Sequence, residues 1–300
     1  MQNRSKVRTG VSYVLAFFLS IFVAGFSALL VLQSTILSEN FLQRQVDRSN
    51  YTDYVIERIE NTFISYGMSS GFDEEFFSTV LDKEKVRENI RDVMASLYVG
   101  KSRDASTEEF RSMLYDKLVA NVTERGFTVT EELDQSLKEL VDYCTVTYRN
   151  ELRVPMASAV ASLLQKAKTP VTLGLGITGM LSLFVFFVLF SIHPRKSSVV
   201  RNVIYALSGS LLMLFVPTGL VLLSGRIERL AITSKPLYYL VVTELRQTMY
   251  TFLLACGILA VLIAGLGVWY HLMVRGKPHS YEAAFRIDQF QEDASGQGNH

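Results

Sequence analysis

The side chains that most often act in catalysis are unevenly distributed along this 300-residue chain. Its four histidines are His193, His271, His279 and His300, and none of them lies between residues 33 and 169. A Ser-His-Asp triad, a Cys-His pair and a zinc site with histidine ligands all require a histidine. Residues 33–169 therefore cannot form any of these sites by themselves.

The two cysteines, Cys144 and Cys256, are the only possible thiol nucleophiles. Cys144 lies on the apolar side of a predicted helix, together with Leu140 and Val141, so we expect it to be buried in a core. Cys256 lies in a long apolar run. Because the two thiols belong to different parts of the protein, we expect no disulfide between them.

Three pairs of adjacent glutamates are the remaining candidates for acid–base chemistry: Glu74-Glu75, Glu108-Glu109 and Glu131-Glu132. Adjacent residues on a helix point about 100° apart, so none of these pairs forms a tight carboxylate dyad. Each pair also stands at a predicted helix start, where acidic side chains stabilise the positive end of the helix. We therefore predict no catalytic, cofactor-binding or metal-binding residue in the chain.

Gly174, Gly176 and Gly179 fit the G-x-G-x-x-G pattern of dinucleotide-binding loops. That pattern binds a pyrophosphate only where it follows a strand and opens a helix. Here it follows Thr169-Pro170, which we expect to cap and open a helix, and it lies within an apolar run. Close packing between helices is the favoured explanation.

Four apolar runs without any charged residue dominate the sequence, at residues 11–32, 171–192, 203–223 and 249–270. Each is long enough to cross a hydrocarbon core of about 30 Å as a helix. The first exceeds the roughly 7–15 apolar residues of a cleaved signal peptide, so we expect an uncleaved anchor. The absence of ionisable groups argues against ion-coupled transport and against aspartyl proteolysis within the membrane.

Small residues recur every fourth position in three of these runs, which predicts a packed bundle or a homo-oligomer. The residues concerned are Ser20, Ala24 and Ala28 in the first run, Ala206 and Ser210 in the third, and Ala260 and Ala264 in the fourth. Pro217 should kink the third run.

The basic residues of the short loops orient the spans, because Lys and Arg stay on the cytoplasmic side. They place both termini in the cytoplasm of a plasma membrane, although the loop after the third span is also basic. The predicted layout is a cytoplasmic N-terminus (1–10), a first span (11–32), an extracytoplasmic domain (33–169), a second span (170–192), a cytoplasmic turn (193–202), a third span (203–224), a small extracytoplasmic loop (225–248), a fourth span (249–271) and a cytoplasmic tail (272–300).

The predicted extracytoplasmic domain is acidic and helical. Residues 34–169 hold 17 Lys and Arg against 23 Asp and Glu, a net charge of −6, which disfavours nucleic acid as a ligand. Apolar residues recur at helical spacing, and no Asn-Gly or Asp-Gly hairpin is present, so we expect an all-α fold. The sparse cysteines favour a bacterial source, and we expect the glycosylation sequons at Asn50 and Asn121 to be unused.

Several local signals define the ends of these helices. Asn50 or Thr52, the capping box from Ser106 to Glu109, and Thr130 are predicted N-terminal caps. A separate helix is expected over residues 156–168. In the small loop, the apolar strip at residues 237–242 is predicted to anchor its tyrosines at the membrane surface. Docking of this strip on the large domain or on a partner is the alternative.

These observations favour a non-enzymatic integral membrane protein. Its partners would be the lipid bilayer and a protein or envelope component recognised through residues 33–169, in a scaffold, assembly or sensing role. As an alternative, the order of one span, a large outer domain, two spans, a small loop and a last span resembles FtsX-like and MacB-like ABC permeases. That resemblance implies a separate cytoplasmic ATPase, but the turn at residues 193–201 is short for a coupling helix.

Overall fold

The structure is a computed structural model that describes residues 2–100, 107–192 and 196–275. Every regular element in these residues is helical, as predicted. The helices are α1 (Gln2–Ser34), α2 (Glu39–Arg48), α3 (Tyr51–Ser69), α4 (Glu74–Val80), α5 (Lys83–Tyr98), α6 (Glu108–Glu124), α7 (Glu131–Leu152), α8 (Ala157–Ile192), α9 (Lys196–Leu223) and α10 (Lys235–Arg275), with a 3-10 turn at Ile227–Arg229. The predicted cap Ser106, the histidines His193, His279 and His300, and most of the predicted tail lie outside the described residues.

Four of these helices are long and apolar enough to cross a membrane. They are α1, α8, α9 and α10, and each contains one of the four uncharged runs. The prediction of a membrane protein with four spans is therefore confirmed at the level of helix length and composition.

The second span was wrongly predicted to begin with a new helix at Thr169-Pro170. Helix α8 runs without a break from Ala157 to Ile192 and carries Pro170 in its interior. A proline removes one backbone hydrogen bond, but a helix can continue where hydroxyl side chains and neighbours satisfy the backbone.

Much of the small loop predicted at residues 225–248 is helical in the structure. Helix α10 already begins at Lys235, and its second residue is Pro236. A proline is well tolerated in the first turn, where the backbone N–H has no partner within the helix. The strip at residues 237–242 therefore belongs to α10.

The chain divides into two compact units, and the first contains residues 1–27, 176–216 and 253–300. Its described core joins Ala16 and Leu19 of α1, Val185 and Leu189 of α8, and Ala206 of α9. Ser210 is fully buried, and its Oγ donates to the carbonyl of Ser20 at 2.8 Å. The small-residue stripes of α1 and α9 thus pack together as predicted, whereas Ala260 and Ala264 of α10 are exposed in the single chain.

The second unit contains residues 28–175 and 217–252. We call helices α2 to α7, which form its larger part, the inserted domain. Their apolar faces meet in one core, with Ile59 and Phe63 of α3, Phe77 of α4 and Leu114 of α6 wholly buried. This core gives the inserted domain a rigid frame.

Two of the predicted caps can be compared with the structure. Thr130 caps α7 by accepting a hydrogen bond from the backbone N–H of Leu133, as predicted. Asn50 occupies the cap position of α3 with a φ of 53°, but its side chain makes no capping hydrogen bond. Thr107 occupies the cap position of α6 without a capping hydrogen bond from its side chain, and its hydroxyl accepts from Arg149.

Candidate functional site: the tyrosine face of the inserted domain

Aromatic packing fixes α3, α6 and α7 against one another. The ring of Phe110 in α6 lies between Phe63 of α3, at a centroid distance of 5.7 Å, and Tyr148 of α7, at 4.3 Å. Tyr148 also accepts a hydrogen bond from Asn89 at 2.8 Å. Such buried aromatic contacts hold the outward-facing sides of α3 and α7 in a defined position.

Helices α3 and α7 lie antiparallel, and two polar contacts join their outer sides. Arg58 pairs with Glu151 at 3.1 Å, and further along α3 the hydroxyl of Tyr66 shares a hydrogen bond of 3.3 Å with Thr147. The second contact orients the ring of Tyr66, which remains at the surface.

A cleft of about 360 Å³ opens between the end of α3 and the start of α7. We call it the Tyr143 cleft, and it is lined by Tyr66, Ser69, Ser70, Ser136, Glu139, Leu140 and Tyr143. The rings of Tyr66 and Tyr143 have centroids 6.2 Å apart and planes tilted by 49°. Tyr143 is 65% exposed and Tyr66 is 36% exposed. Among the described residues that line this cleft, Glu139 is the charged one, and its charge is negative.

A second cleft, of about 430 Å³, lies along the other half of α3. We call it the Tyr54 cleft, and its lining combines Tyr54, Arg58 and Asn61 of α3 with Lys235 and Pro236 of α10. Tyr54 stacks on Tyr239 at 5.2 Å, and the Lys235 ammonium lies 5.3 Å from the centroid of the Tyr54 ring.

The two clefts follow one side of α3, and we call their combined lining the tyrosine face. It is built mainly from Tyr, Ser, Thr and Asn side chains. Salt bridges link neighbouring helices of the inserted domain, as between Arg58 and Glu151, Arg87 and Asp53, or Arg111 and Asp142. A surface rich in tyrosine and in uncharged polar side chains has the composition of a recognition surface.

The strip at residues 237–242, for which membrane anchoring was the favoured prediction, packs against the inserted domain. Leu240 is buried in the core of the inserted domain, and Tyr239 stacks on Tyr54. Tyr238 donates to the carbonyl of Glu228 at 2.9 Å. The strip docks on the large domain, which was the alternative prediction.

The other residues singled out from the sequence lie away from this face or have structural roles. Cys144 is completely buried, as predicted, and burial raises the pKa of its thiol to about 12. The glutamate pairs stand in the first turns of α4, α6 and α7, as predicted, and Glu109 forms a salt bridge with Lys85. Within the described residues, no group of three or more Asp, Glu, His or Cys side chains is arranged to hold a metal ion.

The glycine pattern lies inside α8, as expected for helix packing. A Cβ atom at Gly174 would come within 3.0 Å of Leu29, and one at Gly179 would come within 3.3 Å of Phe26. Both close approaches are to α1. The pattern is therefore a helix–helix contact rather than a phosphate-binding loop.

The tyrosine pairs were not predicted from the sequence. One signal was available, because residues 61–72 contain no charged side chain although charges are frequent elsewhere in the inserted domain. The pairing of Tyr66 with Tyr143 depends on how α3 packs against α7, which helical periodicity does not specify. Comparisons of the chain with protein-family models, curated proteins and solved structures find no match.

Proposed function

We propose that this chain is a non-enzymatic membrane protein that recognises a protein or envelope partner through the tyrosine face of its inserted domain. The inserted domain lies on the extracytoplasmic side of a plasma membrane, and both termini are cytoplasmic. The protein acts in a scaffold, assembly or sensing role. This orientation is based on the basic residues of the short loops.

The main support for this proposal is the exposed pair Tyr66 and Tyr143. Tyrosine supplies a large contact area with few rotatable bonds, so little entropy is lost when it becomes ordered on binding. Both residues are carried by helices that are held by a buried aromatic core. A rigid tyrosine-rich surface of this kind can bind a partner without reorganising.

The arrangement gives less support to a permease that works with a cytoplasmic ATPase. Helix α8 ends at Ile192 and α9 begins at Lys196. The intervening residues 193–195 are fewer than the 3.6 residues of one helical turn.

Affinity purification in mild detergent, followed by mass spectrometry, tests the proposal. The full chain should retain a specific partner, and the double variant Tyr66→Ala/Tyr143→Ala should lose it. Phe127→Ala is the matched control, because Phe127 is a 63% exposed aromatic residue of the same domain that lines neither cleft. Equal recovery by the double variant and the control would contradict the proposal. Stoichiometric recovery of an ABC-type ATPase would favour the permease alternative.

A further inference from the structure

We propose that the Tyr143 cleft binds a cationic side chain, Lys or Arg, that a partner protein presents. This inference rests on the proposed function, since it states what the tyrosine face recognises. Two aromatic rings, a carboxylate and several hydroxyl oxygens line the cleft, and together they are suited to a cation.

The two rings provide the first part of the site. A cation within about 6 Å of an aromatic centroid is attracted by the negative face of the ring. The ring centroids of Tyr66 and Tyr143 lie 6.2 Å apart, and both rings line the cleft. The hydrogen bond between Tyr66 and Thr147 holds the ring of Tyr66 in place before any ligand binds.

Glu139 provides the negative charge. It precedes Tyr143 by four residues on α7, so the two side chains share one side of the helix. Glu139 is exposed and takes part in no salt bridge among the described residues. The neighbouring Lys138 points elsewhere, because it pairs with Asp134 at 2.7 Å, and Asp134 in turn accepts a hydrogen bond from Tyr115 of α6.

Serine hydroxyls complete the lining with hydrogen-bond acceptors. Ser69, Ser70 and Ser136 each donate to a backbone carbonyl of their own helix or its end, at 3.1, 3.0 and 3.0 Å. Their hydroxyl protons are thereby used, whereas the oxygen lone pairs can still accept from an ammonium or guanidinium group. The lining of this cleft is therefore richer in acceptors than in donors.

In the Tyr54 cleft, a contact between a cation and a tyrosine ring already forms within the chain. There Lys235 places its ammonium 5.3 Å from the centroid of Tyr54, a ring that also stacks on Tyr239. The lining of the Tyr143 cleft has two tyrosine rings but includes no Lys or Arg from the described residues. A partner can supply the missing cation.

Charge complementarity favours a basic partner as well. The region from residue 34 to residue 169 has a net charge of −6, and Glu131 and Glu132 stand exposed at the start of α7, two turns before Glu139. An anionic ligand would be repelled by this end of the domain, whereas a basic segment would be attracted to it.

A binding assay with a defined cationic probe tests the inference. The probe is a fluorescein-labelled decapeptide of alternating Gly and Lys, and the same peptide with every lysine acetylated is its control. The full chain is held in nanodiscs of phosphatidylcholine, which carries no net charge, so that lipid does not attract the probe. Fluorescence anisotropy reports binding at low salt, and circular dichroism checks that each variant is folded.

We expect the lysine peptide to bind and the acetylated peptide to bind much less. Tyr143→Leu and Glu139→Gln should each weaken binding roughly threefold, in line with an exposed cation–π contact and an exposed ion pair. Tyr143→Phe keeps the ring and should stay within about twofold of the wild type. Glu88→Gln removes one exposed carboxylate from α5 and should also stay within that range.

The inference is overturned if both peptides bind equally, if Tyr143→Leu binds like the wild type, or if Glu88→Gln weakens binding as much as Glu139→Gln. Failure of the proposed function would be observed separately, as the absence of a specific partner in the purification. If a specific partner is recovered but the lysine peptide does not bind, recognition stands and the cationic site is overturned.

Discussion

Tyr54 of α3 stacks on Tyr239 of α10, with ring centroids 5.2 Å apart and ring planes 12° apart. This contact joins two segments that are far apart in the sequence but belong to the same compact unit. Next to it, Leu240 is buried in the core of the inserted domain. The start of α10 is therefore a structural part of the domain that carries the tyrosine face.

Loss of this stack should destabilise the protein. Tyr239→Ala is expected to lower the free energy of unfolding by about 2 kcal/mol, since it removes both the aromatic contact and buried ring area. Tyr239→Phe keeps the ring and should change the free energy by less than about 0.5 kcal/mol. Denaturation in mixed detergent micelles, followed by circular dichroism, measures both values. Equal destabilisation by the two variants would show that the aromatic stack does not contribute this free energy of unfolding.

The close approach of α3 to α4 should require a glycine at position 67. A Cβ atom there would overlap the ring of Phe77, which is wholly buried and cannot move aside. Gly67→Ala is therefore expected to destabilise the protein by roughly 1–3 kcal/mol, as for an overpacked core. Gly176→Ala is the control, because a Cβ on that helical glycine meets nothing within 4 Å. A neutral Gly67→Ala variant would contradict the packing described here.

The thiol of Cys144 should be unreactive in the folded protein. The pKa of about 12 leaves almost no thiolate at pH 8, and the side chain is completely buried. In a Cys256→Ser background Cys144 is the one remaining thiol. Mass spectrometry after maleimide treatment should show labelling only when denaturant is added. Rapid labelling of the native protein would place Cys144 at an accessible surface instead.

The contact between Ser210 and Ser20 should depend more on side-chain size than on the hydrogen bond. Ser210→Ala loses one hydrogen bond and should cost about 0.6 kcal/mol, a typical value for polar contacts between membrane helices. Ser210→Leu forces a larger group into a fully buried position and should cost roughly 1–3 kcal/mol. Unfolding in mixed micelles compares the two variants, and a larger effect of Ser210→Ala would reverse this interpretation.

The sequence was a good guide to the individual helices and a poor guide to their continuity. Thr130 and the glutamates of the first turns mark helix starts by local chemistry, so they could be predicted. The passage of α8 through Pro170 depends on the surroundings of one residue, and the proline alone suggested a helix start.

The candidate site was harder to predict, because it is formed by tertiary contacts. Tyr66 and Tyr143 each lie outside the apolar stripe of their own helix, and neither is near a recognisable motif. Their proximity depends on the antiparallel packing of α3 on α7, which also brings Arg58 to Glu151. Local periodicity shows which side of each helix is buried but not which outer sides meet.

The most direct test of recognition by the tyrosine face is site-specific photo-crosslinking of the full chain in intact cells. A benzophenone amino acid replaces Ser69, which lines the Tyr143 cleft, or Asp92, an exposed residue of α5 outside the tyrosine face. We predict a discrete crosslinked partner with the probe at position 69 and none at position 92, and the yield at position 69 should fall when Tyr143→Leu is added. The same crosslinks at both positions, or a yield at position 69 unaffected by Tyr143→Leu, would contradict recognition through this face.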